Sequence, residues 1–215
     1  MGGGLLVTDG EGIGIDPRRE GSDRLDFAEI FGNDNPVTLE IGSGKGRFLL
    51  EAARSAPERN FLGVEKSLHY FRVIVDRVRR AGIPNVRVIN YDAHFVVARM
   101  IPDVSVDEVH IYFPDPWPRP RERKRRIVRE EVLREIERIL SPDGRGVYVT
   151  DHREYFEKSV PVFERIFAAE ASEVDSSVEA RTNYEAKYRE EGRPIYQIIF
   201  RKHETKGAAL RLPPD

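Results

Sequence analysis

The sequence predicts an α/β fold of the Rossmann-like type, a doubly wound and mostly parallel seven-stranded sheet with one antiparallel strand near the C-terminus. From residue 37 onward, short β-branched runs alternate with amphipathic helical patterns, as in parallel strands joined by right-handed crossovers. The first run also ends in a glycine-rich turn. In such sheets the ligand lies at the carboxyl ends of the strands, so we expect the functional residues there.

The first half of the chain predicts three strands joined by two helices. Val37 to Ile41 is a short β-branched run, and Ser67 is a suitable N-cap for a helix that Gly82 and Pro84 end. The predicted order is a strand at 37–41, a helix at 47–56, a strand at 60–64, a helix from 67 to 82 and a strand at 86–90.

The second half continues the alternation and then departs from it. The predicted order is a short helix at 93–100, a strand at 106–113, a helix at 124–140, a turn at 142–144, a strand at 146–150, a helix at 154–168, and two strands near 171 and at 195–201. No long helical pattern separates the last two strands. We therefore expect them to form a hairpin, which makes one strand antiparallel.

Composition favours one domain and excludes several kinds of site. The chain has 215 residues, of which 40% are hydrophobic, so we expect a domain at 25–202 between loose tails at 1–24 and 203–215. It has no cysteine, and its histidines show no ligand spacing, so we expect no metal. No run has the length of a membrane span and no secretory leader is visible, so we expect a cytoplasmic protein with no membrane association and no obligate protein partner.

The turn after the first strand has glycines at alternate positions, Gly42, Gly44 and Gly46. Such residues allow a sharp turn and a close approach of the backbone to a ligand. The dinucleotide fingerprint requires a glycine where Arg47 stands, and a phosphate-binding loop requires Lys-Ser or Lys-Thr after its last glycine. Neither pattern is present, and the motif alone also fits a tight strand-to-helix turn.

Carboxylates accompany four successive strands at the predicted ligand edge. Glu40 lies in the first strand, and Glu65, Asp92 and Asp115 follow the next three. Each one alone fits a helix N-cap or a loop residue. Together they favour a cationic ligand without phosphate. S-adenosylmethionine fits this description, because it carries a sulfonium, an ammonium and a ribose diol but no phosphate. Glu65 is suitably placed for the diol and Asp92 for an adenine edge.

A dense basic segment interrupts an otherwise nearly neutral chain. The formal net charge is −2, yet residues 119 to 129 contain seven Arg or Lys and a single acid, Glu122. This pattern indicates a local anionic partner such as a nucleic acid, although a solvated charged face at a helix start gives the same pattern.

The chain resembles the bacterial tRNA (guanine-N7)-methyltransferase family in its Phe-Pro-Asp-Pro-Trp-Pro block at 113–118 and in the basic residues that follow. The resemblance extends from about 37 to 202 and includes Glu40-Ile-Gly, Thr150-Asp151 and Thr182-Asn-Tyr-Glu185. It implies the Rossmann-like methyltransferase fold, S-adenosylmethionine as cofactor and tRNA as partner, with guanine 46 of the variable loop as the target.

The resemblance and the charge pattern together assign the site residues. The expected cofactor-binding residues are Glu40, Gly42, Gly44, Gly46, Glu65, Asp92 and Asp115, and Asp115 is also the expected catalytic residue. The expected RNA-binding residues are Arg119, Arg121, Lys124, Arg125, Arg126, Asp151, Thr182, Asn183, Tyr184 and Glu185. The family usually has Lys where this chain has Arg119 and His where it has Glu122, which leaves the RNA footprint open.

The chemistry limits what the site must supply. Guanine N7 has a lone pair and no proton, so methylation requires alignment and stabilisation of the developing positive charge rather than a general base. We therefore expect Asp115 to act electrostatically. Three alternatives remain: an amino-group methyltransferase for adenine or protein glutamine, a non-catalytic RNA-binding protein of this fold, and a small-molecule methyltransferase.

Overall fold

The computed structural model describes residues 12–15, 17, 24–175 and 180–203. It contains an eight-stranded sheet in the order β1-β4-β3-β2-β5-β6-β8-β7. The strands are β1 Gly14–Ile15, β2 Val37–Ile41, β3 Asn60–Val64, β4 Val86–Ile89, β5 Val106–Tyr112, β6 Leu140–Thr150, β7 Ala168–Glu173 and β8 Tyr196–Arg201. β8 pairs antiparallel with both β6 and β7, and the other pairs are parallel.

Helices cover both faces of this sheet. They are α1 Phe27–Phe31, α2 Arg47–Ser55, α3 Leu68–Ala81, α4 Ala93–Phe95, α5 Glu130–Ile139, α6 Arg153–Glu164 and α7 Asn183–Glu190. A π-helical turn at Val96–Met100 extends α4, and a 3₁₀ helix occupies Pro120–Arg125. No helix in the described part of the chain is long and apolar enough to cross a membrane.

The predicted doubly wound fold with one antiparallel C-terminal strand is confirmed. The sheet has one more strand than predicted, because Gly14–Ile15, which we assigned to the N-terminal tail, pairs with Val88 and Ile89 of β4. Two residues are too few to show a period of two in the sequence. The chain order reverses between the adjacent strands β2 and β5, which is where doubly wound sheets bind ligands.

Local signals explain where α3 begins and ends. The hydroxyl of Ser67 accepts a hydrogen bond from the Tyr70 N–H, and Gly82 adopts the left-handed conformation that ends the helix. Ile74, Val75 and Val78 are buried against β3 and β4. The predicted helix is therefore confirmed with its caps.

The predicted helix at 124–140 is wrong over residues 124–129, because α5 begins only at Glu130. Val128 is buried, but its N–H donates to the Tyr155 hydroxyl, 3.2 Å away, and not to a helical carbonyl. Arg129 is extended, with φ of −142°. The basic residues at 121–125 lie in the separate 3₁₀ helix, which ends at Arg126, where the backbone is extended.

The predicted turn at 142–144 lies inside β6 rather than before it. Partners on β6 advance from Leu140 to Arg145 while those on β5 advance from Val106 to Glu108. The extra residues make a bulge, whose Pro-Asp-Gly composition is the same as that of a turn.

Candidate active site

The carboxyl ends of β2 to β6 form one edge of the sheet, which we call the carboxyl edge. Gly42, Gly44 and Gly46 form the loop after β2 and have φ of 79°, 53° and 70°. A Cβ at Gly46 would lie 3.0 Å from two carbons of Ile74, whereas one at Gly42 would meet nothing. Gly46 is therefore required for packing against α3, and Gly42 leaves open space beside the backbone.

Glu40 is buried in β2 directly before this loop, with 3% of its surface exposed. Its Oε2 atom has no hydrogen-bond partner among the described residues. Burial raises the pKa of Glu40 to about 8, the Ser43 side chain opposes this increase, and the nearby carboxylate of Glu65 adds to it. A buried carboxyl with an unused oxygen is suited to receive a cationic group.

Glu65 at the end of β3 supports the glycine loop. Its carboxylate accepts hydrogen bonds from the Gly44 N–H at 2.8 Å and from the Ser67 N–H at 2.7 Å. Burial raises the pKa of Glu65, these backbone bonds oppose the rise, and Asp115 raises it further. The loops after β3 and β5 both lie at the carboxyl edge, so like-charge repulsion acts between the Glu65 and Asp115 carboxylates there.

Asp92, after β4, has two structural partners. One carboxylate oxygen caps α4 by accepting from the N–H groups of His94 and Phe95, and the other lies 3.0 Å from the Lys66 ammonium. Burial raises the pKa of Asp92, but the Lys66 bond and the capping bonds outweigh it and lower the pKa overall. Lys66 is 77% exposed, so its bond to Asp92 is easily exchanged.

Asp115 lies in the loop after β5, which we call the Asp115 loop, residues 113–118. The Asp115 side chain is exposed, and the residues two positions before and after it, Phe113 and Trp117, have φ of 48° and 39°. Positive φ in bulky residues costs on the order of 1–3 kcal/mol each. Pro114 and Pro116 fix the backbone between them. The loop is therefore rigid, and its backbone is strained two residues before and two residues after the residue expected to act in catalysis.

The basic segment divides into exposed and buried residues. The exposed members, available to an anionic partner, are Arg119, Arg121, Lys124 and Arg125. Arg126 is only 7% exposed and points inward. Glu122 lies 3.6 Å from the Arg119 guanidinium, so the two residues that depart from the family pattern form an ion pair with each other.

Residues 182–185, which we expected to bind RNA, lie at the start of α7. The Thr182 hydroxyl accepts from the Glu185 N–H at 3.0 Å, which is an N-cap. Glu185 is completely buried and its carboxylate contacts Arg181 at 3.3 Å and Arg189 at 2.5 Å. Thr182 and Glu185 thus hold the helix in place, while Asn183 and Tyr184 are exposed.

Aromatic residues of α7 extend over the carboxyl edge. The ring of Tyr184, 44% exposed, comes within 3.9 Å of the Cβ position of Gly44, and its centroid lies 6.4 Å from that of Phe113. Tyr188 packs edge-on against Phe113 at 5.4 Å. These rings join the glycine loop to the Asp115 loop and make an apolar wall suited to a planar base.

Asp151 follows β6 on the same edge and accepts from the Arg193 guanidinium at 3.0 Å. Arg193 also lies over the Tyr188 ring, 4.7 Å from its centroid. Sequence reasoning missed the cationic partners of the expected site residues, which are Lys66, Arg181, Arg189 and Arg193. Arg181 and Arg189 each stand four residues from Glu185, a spacing that a helical interpretation of this segment would have paired. Lys66 and Arg193 pair with acids 26 and 42 residues away, so only the fold reveals those contacts. The described residues contain no group of three or more His, Asp or Glu that could hold a metal ion.

Comparison with known proteins identifies relatives of this chain. A family model described as "Putative methyltransferase" matches residues 34–198. The chain is 36% identical over 190 residues to the tRNA (guanine-N(7)-)-methyltransferase of Thermotoga maritima, an alignment that covers 87% of this chain and 60% of that protein. It is 38% identical over 185 residues to the protein of the same name from Aliivibrio fischeri, covering 83% of this chain and 78% of that one.

Solved structures show the same fold at low sequence identity. A 30S ribosomal A1408 methyltransferase from an uncultured bacterium aligns with a TM-score of 0.57 and 18% identity, covering 84% of this chain and 95% of that one. Precorrin-6y C5,15-methyltransferase from Geobacter metallireducens aligns with a TM-score of 0.56 and 19% identity, covering 89% and 98%. The glycine loop and the neighbouring carboxylates therefore lie in a fold that methyltransferases use.

Proposed function

The chain belongs to the tRNA (guanine-N(7)-)-methyltransferase family, and from this premise we propose that it methylates N7 of a guanine in tRNA, at guanine 46 of the variable loop. The methyl donor is S-adenosylmethionine. The substrate is an RNA that carries many phosphates, whereas the cofactor carries none, so the two partners need separate surfaces of opposite charge. We also propose a cytoplasmic location, where such an RNA is available.

The observation that carries this proposal is the group of carboxyl groups at the carboxyl edge, above all the unpaired buried Oε2 of Glu40. An anionic dinucleotide would be repelled by Glu65 and Asp115 and would offer no cation to the buried carboxyl of Glu40. S-adenosylmethionine has two cationic groups and no phosphate, so the residues present fit it. Open space at Gly42 and the positive φ values of the loop provide the backbone cradle that such a ligand requires.

Each carboxyl group has its own task in this proposal. Glu40 binds a cationic group of the cofactor, Glu65 accepts from the ribose hydroxyls with the lone pairs that its backbone bonds leave free, and Asp92 faces the adenine edge. Lys66 must release one oxygen of Asp92 for this contact. The bound cofactor supplies an electrophilic methyl group on its sulfonium.

The chain's residues hold the guanine rather than deprotonate it. The N7 lone pair attacks directly, and positive charge develops on the purine as the bond forms. Asp115 stabilises this charge, and its rigid loop holds the carboxylate in position before the reaction. The exposed ring of Tyr184, with Tyr188 and Phe113 behind it, is positioned to pack against the base.

The RNA backbone is held by the exposed basic residues of the 3₁₀ helix and by Arg119. We propose that Asp151 and the start of α7, including Asn183 and Tyr184, contact the nucleotides near the target. Thr182 and Glu185 act there indirectly, because both side chains are used to fix the helix.

An amino-group methyltransferase is the second candidate within this fold. Such enzymes use Asp or Asn, two prolines and an aromatic residue after the fourth strand of the alternation, and Asp115-Pro116-Trp117 lacks the second adjacent proline. The basic segment also favours an RNA substrate over a small molecule. A non-catalytic RNA-binding protein has no use for the carboxyl group of Glu40 at a ligand edge.

The proposal is tested with purified protein, S-adenosylmethionine and unmodified tRNA transcripts. The RNA is digested and its nucleosides are analysed by mass spectrometry. We expect 7-methylguanosine, and a transcript with adenine at position 46 should remain unmethylated. N6-methyladenosine would support the second candidate, and absence of any methylation together with absence of cofactor binding would refute the proposal.

We expect the double substitution Arg121→Ala and Lys124→Ala to weaken tRNA binding and to reduce its salt dependence. If both residues contact phosphates, the slope of log K against log salt should become less negative by about 1.5, since each lost contact accounts for roughly 0.7–0.9. Binding is measured by filter retention between 50 and 300 mM salt.

The matched control is Arg80→Ala with Arg134→Ala. Both residues are exposed, paired with acids on their own helices and outside the basic segment. This variant should keep the wild-type slope. An unchanged slope in the Arg121 and Lys124 variant would remove these residues from the RNA interface.

A further inference from the structure

Arg126 lies at the end of a basic run, yet it is bound inside the protein by three groups. Its Nε donates to the Pro116 carbonyl at 2.6 Å, and a second nitrogen lies 3.4 Å from the Trp117 carbonyl. Its guanidinium carbon lies 4.6 Å from the centroid of the Tyr155 ring, which is 1% exposed. No acid in the described part of the chain forms an ion pair with it, so the polar contacts of its side chain are two carbonyls of a single loop.

Those two carbonyls belong to the Asp115 loop, on the C-terminal side of Asp115. Trp117 has φ of 39° and Phe113 has φ of 48°, so the loop is strained on both sides of Asp115. A strained backbone persists only where its surroundings hold it. Two carbonyls accepting from one planar guanidinium are fixed relative to each other, which a single rotating ammonium would not achieve.

The other side of Arg126 is equally fixed. The Arg126 guanidinium packs over the ring of Tyr155 on α6, and the Tyr155 hydroxyl accepts a hydrogen bond from the Val128 N–H at 3.2 Å. The Arg126 N–H donates to the Arg123 carbonyl, which ends the 3₁₀ helix. Arg126 therefore connects a buried, rigid point of the core to the loop that presents Asp115.

We propose that Arg126 is a positioning residue that clamps the Asp115 loop in its strained conformation, and not a phosphate-binding residue of the RNA surface. The clamp keeps the Asp115 carboxylate where charge develops on the guanine. This role in catalysis rests on the proposed function. The clamping of the loop itself is a property of the fold and is measurable without substrate.

Trp117 is the single tryptophan of the chain, and so its fluorescence reports on this loop alone. The Arg125 guanidinium covers its ring at 4.9 Å. In Arg126→Lys and Arg126→Met we expect the acrylamide quenching constant of Trp117 to rise at least twofold, because the loop loses its two carbonyl contacts. Circular dichroism and the thermal midpoint identify the temperature range in which each variant is folded. If Arg126→Met does not fold, Arg126→Lys carries the test.

Kinetics separate a positioning residue from an RNA contact. We expect kcat to fall on the order of 10²-fold in Arg126→Met and at least tenfold in Arg126→Lys, since small misplacements of a reacting group have effects of this size. KM for S-adenosylmethionine should stay within twofold of wild type, and the salt slope of tRNA binding should be unchanged. Arg134→Met, which changes an exposed arginine of α5, is the control and should leave quenching and kcat unchanged.

Three results would overturn the inference. The first is unchanged quenching in a folded variant, whatever its activity. The second is unchanged kcat with increased quenching. The third is a flattened salt slope with a raised KM for tRNA, which would make Arg126 a phosphate contact. If wild-type protein produced no 7-methylguanosine, the proposed function would fail, while the quenching comparison would still decide whether Arg126 clamps the loop.

Discussion

Replacing Asp115 by asparagine is expected to lower kcat for tRNA methylation on the order of 10²-fold while leaving the fold intact. The amide keeps the size of the side chain and its place in the strained loop, but it removes the negative charge that stabilises the cationic purine as the bond forms. Because Asp115 is exposed, its replacement should change the free energy of unfolding by no more than about 0.5 kcal/mol.

The measurement is single-turnover methylation at saturating cofactor and tRNA. The variant Asp143→Asn alters an exposed aspartate in the bulge of β6, away from the carboxyl edge, and it should retain wild-type kcat. Asp115→Glu keeps the negative charge on a longer side chain. If its carboxylate reaches the position of the Asp115 carboxylate, this variant should retain more activity than Asp115→Asn. Unchanged kcat in Asp115→Asn would mean that Asp115 plays no electrostatic role.

Cofactor binding offers a second test of the same residue. Asp115 raises the pKa of Glu65 through like-charge repulsion. Removal of its charge should therefore ease ionisation of Glu65 and leave cofactor affinity equal or slightly higher. A strong loss of affinity would instead place Asp115 among the residues that bind the cofactor tightly.

The sequence predicted those parts of the fold and site that depend on local patterns. Ser67 and Gly82 set the ends of α3 through backbone capping, and β-branched runs marked the central strands. Carboxylates directly after strands were predictable because the carboxyl ends of parallel strands share one edge. That rule places Glu65, Asp92 and Asp115 without any knowledge of side-chain contacts.

What the sequence did not reveal depends on contacts between distant residues. Arg126 is indistinguishable in sequence from Arg125 beside it, yet one is buried on Tyr155 and the other is exposed. Glu185 belongs to a motif expected to contact substrate, but two arginines enclose it. Charge patterns predict where basic residues cluster, whereas burial of an individual side chain is decided by the packing of α6 and α7 against the sheet.

Replacing Glu40 by glutamine is expected to weaken S-adenosylmethionine binding on the order of 10²-fold. The neutral amide cannot balance a buried cation, and loss of one partner of a buried charged pair typically costs about 2–5 kcal/mol. The same change should remove the pH dependence of binding. In wild-type protein burial raises the pKa of Glu40 to about 8, so below that pH the carboxyl must lose a proton to bind a cation.

Calorimetry measures both effects. Between pH 6 and 8 the wild-type affinity should rise with pH, and at pH 7 binding should release a proton, which is detected from the heat in buffers of different ionisation enthalpy. Glu40→Gln should show neither. The control is Glu51→Gln, which alters an exposed carboxylate on α2 and should behave as wild type. Proton release that persists in Glu40→Gln would assign the titration to another group.

Glu40 should also make the ligand-free protein less stable as pH rises. Its folded pKa of about 8 exceeds the ordinary value of 4.5, so between these values the folded state holds a proton that the unfolded state has lost. The free energy of unfolding should therefore fall with pH across this window, by up to about 1.4 kcal/mol per pH unit relative to Glu40→Gln. Saturating cofactor should reverse the trend, because it binds the ionised carboxylate.

Denaturant melts of both proteins at pH 5, 6.5 and 8 measure the difference, and parallel stability curves would show that Glu40 is ionised without ligand. A falling curve would show that the protein tolerates an unpaired buried carboxyl at a cost in stability that only the cationic ligand offsets.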